Sequence, residues 1–182
     1  NVVGIQKSEI KFKNVLWYLN ENSNDKNKIV FDKRLSNFSF EDIGLTQENE
    51  KVEFKGYINE NNSKDLNLNF TNIDINKLTP EISDFEFKGI LNGNVNLKQN
   101  NTIYQPTASL FIDNLNINKI LLGKLNLDIA GDNELKKFKV NSSIVNENIE
   151  SFNVKGEFNI ENQETKTNLD LRFNKFNLGV LG

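Results

Sequence analysis

The sequence predicts an all-β protein built on one antiparallel, strongly curled and repetitive sheet. Apolar and polar residues alternate strictly along much of the chain, which is typical of strands with one apolar face. Short asparagine-rich segments separate these stretches and favour antiparallel hairpins. One eight-residue phrase recurs: apolar, any, apolar, polar, polar, apolar, any, apolar. Its five copies occupy residues 10–17, 38–45, 68–75, 110–117 and 171–178.

The doubled polar step in this phrase shifts the alternation by one residue. An extra residue in one strand is what a β-bulge supplies, and a bulge bends the strand and increases its twist. Each copy is therefore predicted to be a strand, a bend and a second short strand. A second phrase ending in Lys-Gly precedes three of the copies, at residues 52–56, 85–89 and 152–156.

The elements follow from these patterns in order. Leu78 and Ile82 are four residues apart and predict a single helical turn, which Pro80 limits in length. Gly89 and Gly93 fall on the apolar face of the strand that follows, where glycine allows a bend or close backbone contact. The predicted strands are a pair within 8–19, then 29–31, 38–45, 52–58, 66–75, 85–97, 108–117, 125–129, 138–144, 152–160 and a last one from 169.

The composition argues against several functions. The chain has 182 residues, with 22 Lys+Arg against 25 Asp+Glu and no basic cluster, so a nucleic-acid partner is not expected. Histidine and cysteine are absent, which removes His-assisted nucleophiles and the usual zinc ligands. We therefore expect no enzymatic activity, no metal and no cofactor. No apolar run approaches the ~20 residues of a membrane-spanning helix.

The apolar face of such a sheet must be covered by something. No predicted segment is long enough to be a covering helix. One interpretation is the sealed core of a β-sandwich or of a sheet closed on itself. The other is a groove lined by apolar side chains that holds a hydrocarbon ligand, because large exposed apolar surfaces usually mark binding sites.

Three consecutive segments resemble a known family. They are residues 66–80 (alternating Leu and Phe, then Leu78-Thr-Pro80), residues 87–97 (Gly89 and Gly93 in a strand that also carries Leu91 and Leu97) and residues 104–110 (containing Pro106). This order resembles the TamB branch of the AsmA-like proteins. The resemblance covers residues 52–131 and returns at 152–182. Ala108 and Ser109 stand where the family pattern has a glycine after the proline.

The resemblance implies a fold and a function. TamB-like proteins are bridge-like lipid transport proteins, anchored at the inner membrane and crossing the periplasm. Their sheet curls into a β-taco, a U-shaped trough that conducts phospholipid towards the outer membrane, and the TamB branch partners an outer-membrane barrel protein of the translocation and assembly module. Residues 1–182 would then be one continuous β-repeat segment of a longer protein.

The expected partners of this chain are phospholipid acyl chains, in contact with apolar residues that alternate along the strands. The alternative function is a structural or adhesive β-repeat module with a sealed hydrophobic core. The predicted lipid-binding residues are Leu68, Phe70, Phe85, Phe87, Leu91, Val95, Leu97, Leu110, Ile112, Leu125, Leu127, Ile129, Phe138, Val140, Ile144, Phe152, Val154, Phe158, Leu171 and Phe173.

Overall fold

The computed structural model describes residues 1–22, 26–78, 85–161, 164–177 and 179. These ranges contain thirteen strands and one short helix. The strands are β1 (Val2–Gly4), β2 (Ser8–Phe12), β3 (Val15–Leu19), β4 (Lys28–Phe31), β5 (Phe38–Gln47), β6 (Glu50–Asn59), β7 (Ser63–Asp74), β8 (Phe87–Asn100), β9 (Ile103–Ile117), β10 (Ile120–Gly131), β11 (Lys137–Asn146), β12 (Ile149–Glu161) and β13 (Glu164–Phe173), and the helix is α1 (Ile75–Leu78).

All thirteen strands belong to one antiparallel sheet, so the predicted all-β antiparallel class is confirmed. From β4 to β13 each strand pairs with its neighbour in sequence. The sheet is open and is not strongly curled. Within the described ranges no strand lies outside this sheet, whereas a sandwich requires two sheets facing each other.

The doubled polar step produces a bulge in three copies of the phrase. Register shifts follow Phe40 in β5 and Phe70 in β7, and the β8–β9 register shifts opposite the fourth copy. In the first copy the same step is a complete chain reversal, because Phe12 pairs with Val15 across a two-residue turn. In the fifth copy β13 ends at Phe173, immediately before the step.

The N-terminal part of the sheet departs from the predicted order. The segment Val2–Gly4 forms β1, which the sequence did not predict, and it pairs with β4. One edge of β5 is shared: residues Phe38–Glu41 pair with β4, while Leu45 and Thr46 pair with β3. The helix α1 (Ile75–Leu78) ends where the predicted helical turn begins at Leu78, and the rest of that turn, with Pro80 and Ile82, lies outside the described residues.

The buried apolar residues concentrate at the bulged end of the sheet. Ile75, Leu115, Leu122 and Ile144 form one cluster, and partly buried residues such as Phe87 pack around it. Ile75 comes from α1, so this short helix covers one corner of the sheet. The rest of the apolar face extends away from this cluster along β6 to β13.

Candidate functional site

The ladder register places apolar residues from many strands in rows across one face of the sheet. Residues that pair directly across an antiparallel ladder project from the same face. Starting from Phe70 in β7, the pairing runs through Gly93, Leu110, Leu127 and onwards to β13. We call this surface the apolar face, and we name each of its rows after one member.

Four rows hold all but two of the predicted lipid-binding residues. The Phe70 row contains Phe70, Leu110, Leu127, Val154 and Leu171; the Leu68 row contains Leu68, Val95, Ile129 and Val140; the Ile73 row contains Leu91, Ile112, Leu125, Ile144, Phe152 and Phe173; and the Leu97 row contains Leu97, Phe138 and Phe158. Phe87 pairs with Ile117 at the bulged end, and the ring of Phe85 stacks on that of Phe87 at 6.1 Å.

The apolar face is largely uncovered. Among the predicted residues only Ile144 is buried, and most of the others are half-buried. Val95, Leu171 and Phe173 are 36%, 49% and 55% exposed. Neighbouring strands in the same sheet cover the sides of these side chains and leave them half-buried. A second packed layer would bury them almost completely. The rows therefore form a continuous apolar surface open to solvent.

Sequence reasoning missed the residues that anchor this face. Ile73, Leu115 and Leu122 are buried at the bulged end, with relative exposures of 0%, 5% and 5%. Ile73 and Leu115 follow doubled polar steps, so their signal was present in the second half of the repeated phrase, whereas Leu122 follows the turn at Asn118–Lys119 and lies outside the phrase. Because each bulge adds one residue, the side chains of Ile73 and Leu115 return to the face that carries the first half.

Aromatic rings gather at the β12–β13 end of the Ile73 row. Phe152 contacts Phe173 and Phe176, with ring centroids 5.1 Å and 5.5 Å apart. Phe173 and Phe176 complete the triangle in an edge arrangement at 5.7 Å. The fifth copy of the phrase thus brings its aromatic residues back onto the face even though β13 has ended.

The opposite surface, which we call the polar face, carries amide and charged side chains. One of its rows runs from Lys55 through Asn67 and Asn96 to Thr107. An open groove of about 780 Å³ crosses this face over β5 to β8. The two faces of the same strands therefore differ sharply in chemistry.

The clearly shifted carboxyl groups lie at turns and strand ends. Hydrogen bonds from the Asn37 side chain and the Ser36 backbone hold the pKa of Asp32 well below its usual range. Burial acts to raise the pKa of Asp132, but backbone N–H groups of Lys136, Lys137 and Glu134 outweigh it and lower the pKa. The hydrogen bond and charge of Lys88 lower the pKa of Glu86. These three groups stabilise turns and strand ends.

The described residues contain no set of three or more acidic side chains arranged to hold a metal ion. Nor does this part of the chain contain a helix of the length and apolarity needed to cross a membrane. No family model matches the sequence, and no curated protein and no solved structure matches it.

Proposed function

We propose that this chain is a segment of a TamB-like protein whose apolar face conducts phospholipid between the inner and outer membranes. The observation that supports this proposal is the uncovered apolar face, with four aligned rows and only Ile144 buried among the predicted residues. Acyl chains lying on the rows would replace water, and each buried CH₂ group contributes about 0.8 kcal/mol.

The dimensions of the rows suit a hydrocarbon chain. The Phe70 row runs from Val52 in β6 to Leu171 in β13. Eight strands spaced about 4.8 Å apart make a row about 34 Å long. One leaflet of the hydrocarbon core of a bilayer is about 15 Å thick. A single row is therefore longer than an acyl chain. The row runs across the strands, so any further strands added to the sheet would lengthen it.

The proposed trough is the β-taco geometry. Bulges after Phe40 in β5, after Phe70 in β7 and in the fourth copy in β9 bend alternate strands at the same end of the sheet. Repeated over a longer sheet, these bends would curl the apolar face inwards around the lipid. In the parent protein this segment would lie in the periplasm, with an inner-membrane anchor and an outer-membrane barrel partner in the assembly of outer-membrane proteins.

A second candidate function is a structural or adhesive module with a sealed core. The cluster of Ile75, Leu115, Leu122 and Ile144 favours it, because at this end the apolar face is already covered. If flanking chain extended this cover along all four rows, no room for lipid would remain. The two functions therefore differ in whether the exposed part of the apolar face binds hydrocarbon.

Lipid extraction distinguishes the two functions. The purified chain is extracted with organic solvent, and its lipids are quantified by mass spectrometry. Leu127 lies mid-row between Leu110 and Ser142, so Leu127→Arg places a charge among the acyl chains. A charge facing hydrocarbon costs a few kcal/mol. We therefore expect the variant to carry about one tenth of the lipid bound by the wild type, or less.

The matched control is Ala130→Arg. Ala130 lies on the same strand, is exposed, and pairs with Thr107 and Lys139 on the polar face. We expect this variant to retain lipid at the wild-type level. A folded wild-type chain that carries no lipid and takes up none from phospholipid vesicles would argue for the sealed module.

A further inference from the structure

The groove on the polar face is an open depression with the volume of a ligand site. Its volume of about 780 Å³ falls within the range of ordinary ligand pockets. Its floor is formed by two rows of paired residues from β5 to β8. The first row is Ser39, Tyr57, Asp65 and Lys98, and the second includes Lys55, Asn67 and Asn96.

The charges around this groove are balanced. Lys26 and Asp42 form an ion pair at 3.2 Å, and Lys98 lies 3.7 Å from Asp65. The third acidic residue of the lining, Glu41, pairs with Lys28 at 3.2 Å. A cationic groove for phosphate or an anionic groove for basic peptides requires an excess of one sign. The balance therefore favours a neutral ligand.

The remaining polar groups suit a ligand rich in hydroxyl groups. Asn67, Asn69 and Asn96 all line the groove, and a side-chain amide carries two N–H donors and one oxygen acceptor. The amide of Asn96 is fixed, because its two N–H groups donate to Asp65 Oδ1 at 2.8 Å and to the Leu66 carbonyl at 3.1 Å, so Asn96 offers a ligand only its Oδ1 acceptor. Asn67 Oδ1 is buried and accepts no hydrogen bond from the described residues, so only the N–H groups of this amide can face a ligand.

Tyr57 adds an aromatic surface in the row beside these amides. Its side chain is 40% exposed, and its direct ladder neighbours are Ser39 and Asp65. A tyrosine offers an apolar ring and a polar hydroxyl together. Sugars have the complementary shape, with apolar C–H faces and hydroxyl edges. A ring with amides in the adjacent row and paired charges around it is thus suited to a sugar unit stacked on Tyr57.

We propose that the polar groove over β5 to β8 binds a neutral oligosaccharide, with Tyr57 as the stacking platform and Asn67, Asn69 and Asn96 as hydrogen-bonding groups. This site uses the face opposite to the proposed lipid surface. The two ligands could therefore be bound by the same chain at the same time.

The test is a titration of the full chain with maltohexaose and, separately, with chitotetraose. Saturation-transfer difference NMR measures the binding of each sugar. The first probe offers hydroxyl groups alone, and the second adds acetamido groups, so the two arms distinguish the sugar class. We expect at least one to bind with a dissociation constant on the order of 1 mM, because an open groove buries only part of a ligand.

Three variants test whether the sugar stacks on Tyr57. Tyr57→Ala removes the platform and should weaken binding by about tenfold, whereas Tyr57→Phe keeps the ring and should bind nearly as the wild type does. Tyr104→Ala is the control, because Tyr104 pairs with Gln99 on the apolar face, outside the groove. Circular dichroism checks that each variant is folded. Absence of binding for both sugars, or binding unchanged by Tyr57→Ala, would overturn the proposal.

Discussion

At the residue scale, one backbone conformation marks the doubled polar step in every copy of the phrase. A residue with positive φ occurs there each time: Lys13, Asp42, Asn72, Asn114 and Lys175, with φ between 44° and 55°. Asparagine and aspartate tolerate this left-handed conformation better than other non-glycine residues. The step therefore reorients the chain so that the next apolar side chain returns to the same face.

Asn114 provides a test of this conformational role. Its φ is 53° and its side chain is exposed. Asn114→Val puts a β-branched residue into the left-handed region and should lower the free energy of unfolding by about 2 kcal/mol. The control is Asn94→Val, at an exposed position inside β8, where a change within about 0.5 kcal/mol is expected. Urea unfolding measures both. Equal effects would contradict the role of the left-handed residue.

Two aspartates organise a second recurrent local structure. In both 32–37 and 132–137 the Asp N–H donates to the carbonyl of the last residue, and the Leu N–H three positions on donates back to the Asp carbonyl. Each carboxylate accepts the backbone N–H four residues later, at 2.9 Å for Asp32 and 2.8 Å for Asp132. The ionised carboxylate thus closes the turn.

The depressed pKa of Asp32 predicts a pH dependence. A carboxyl whose pKa is lower in the folded chain stabilises the fold above its unfolded pKa, and this stability is lost as the pH falls through the folded pKa. Asp32→Asn should therefore reduce stability at pH 7, and its difference from the wild type should shrink below about pH 4. Urea unfolding across pH 2 to 7 measures this. A difference that stays constant over the range would contradict the assignment.

At the element scale, α1 is attached to the β5–β6 hairpin by an ion pair whose carboxylate is buried. Lys77 Nζ contacts Glu50 Oε1, and the side chain of Glu50 is only 4% exposed. Lys77 also donates to Gln47 Oε1 at 2.5 Å, and Glu50 Oε2 accepts the Asp74 N–H at 3.3 Å. These contacts hold the helix that covers the corner of the apolar face.

Removing one partner of this pair should be costly. Lys77→Met leaves the buried carboxylate of Glu50 without its counter-charge, which should lower the free energy of unfolding by about 3 kcal/mol. The double variant Glu50→Met and Lys77→Met removes both charges and should return to within about 1 kcal/mol of the wild type. Thermal and urea unfolding measure the stability of the wild type and of both variants. A double variant less stable than Lys77→Met would contradict a charge-pair origin.

The sequence predicted most strands because alternation records the apolar face directly. It failed at β1, since Val2–Gly4 is too short to show a period and is specified by backbone pairing with β4. It also failed to predict the shared edge of β5, which depends on the buried amides of Asn20 and Asn27. Asn27 accepts the Gly44 N–H and donates to Asn20, which donates to the Ile5 carbonyl. Such long-range contacts leave no periodic signal.

At the scale of the whole molecule, the central feature is a single sheet with two chemically distinct faces. Alternation could predict which residues share the apolar face, as the Phe70 and Leu68 rows illustrate. It could not predict whether a second layer covers them, because a core strand and an open strand have the same pattern. That the rows are uncovered is therefore known only from the structure. The proposed lipid conduit depends on this exposure.

Photo-crosslinking on β7 tests this claim most directly. Phe70 and Asn69 are adjacent, but they pair with Gly93 and Asn94 and so project to opposite faces. Each is replaced in turn by p-benzoylphenylalanine, and the chain is irradiated with phospholipid vesicles. If the apolar face holds hydrocarbon, lipid adducts will form at position 70 and stay near background at position 69. Equal labelling at both positions, or none at position 70, would contradict it.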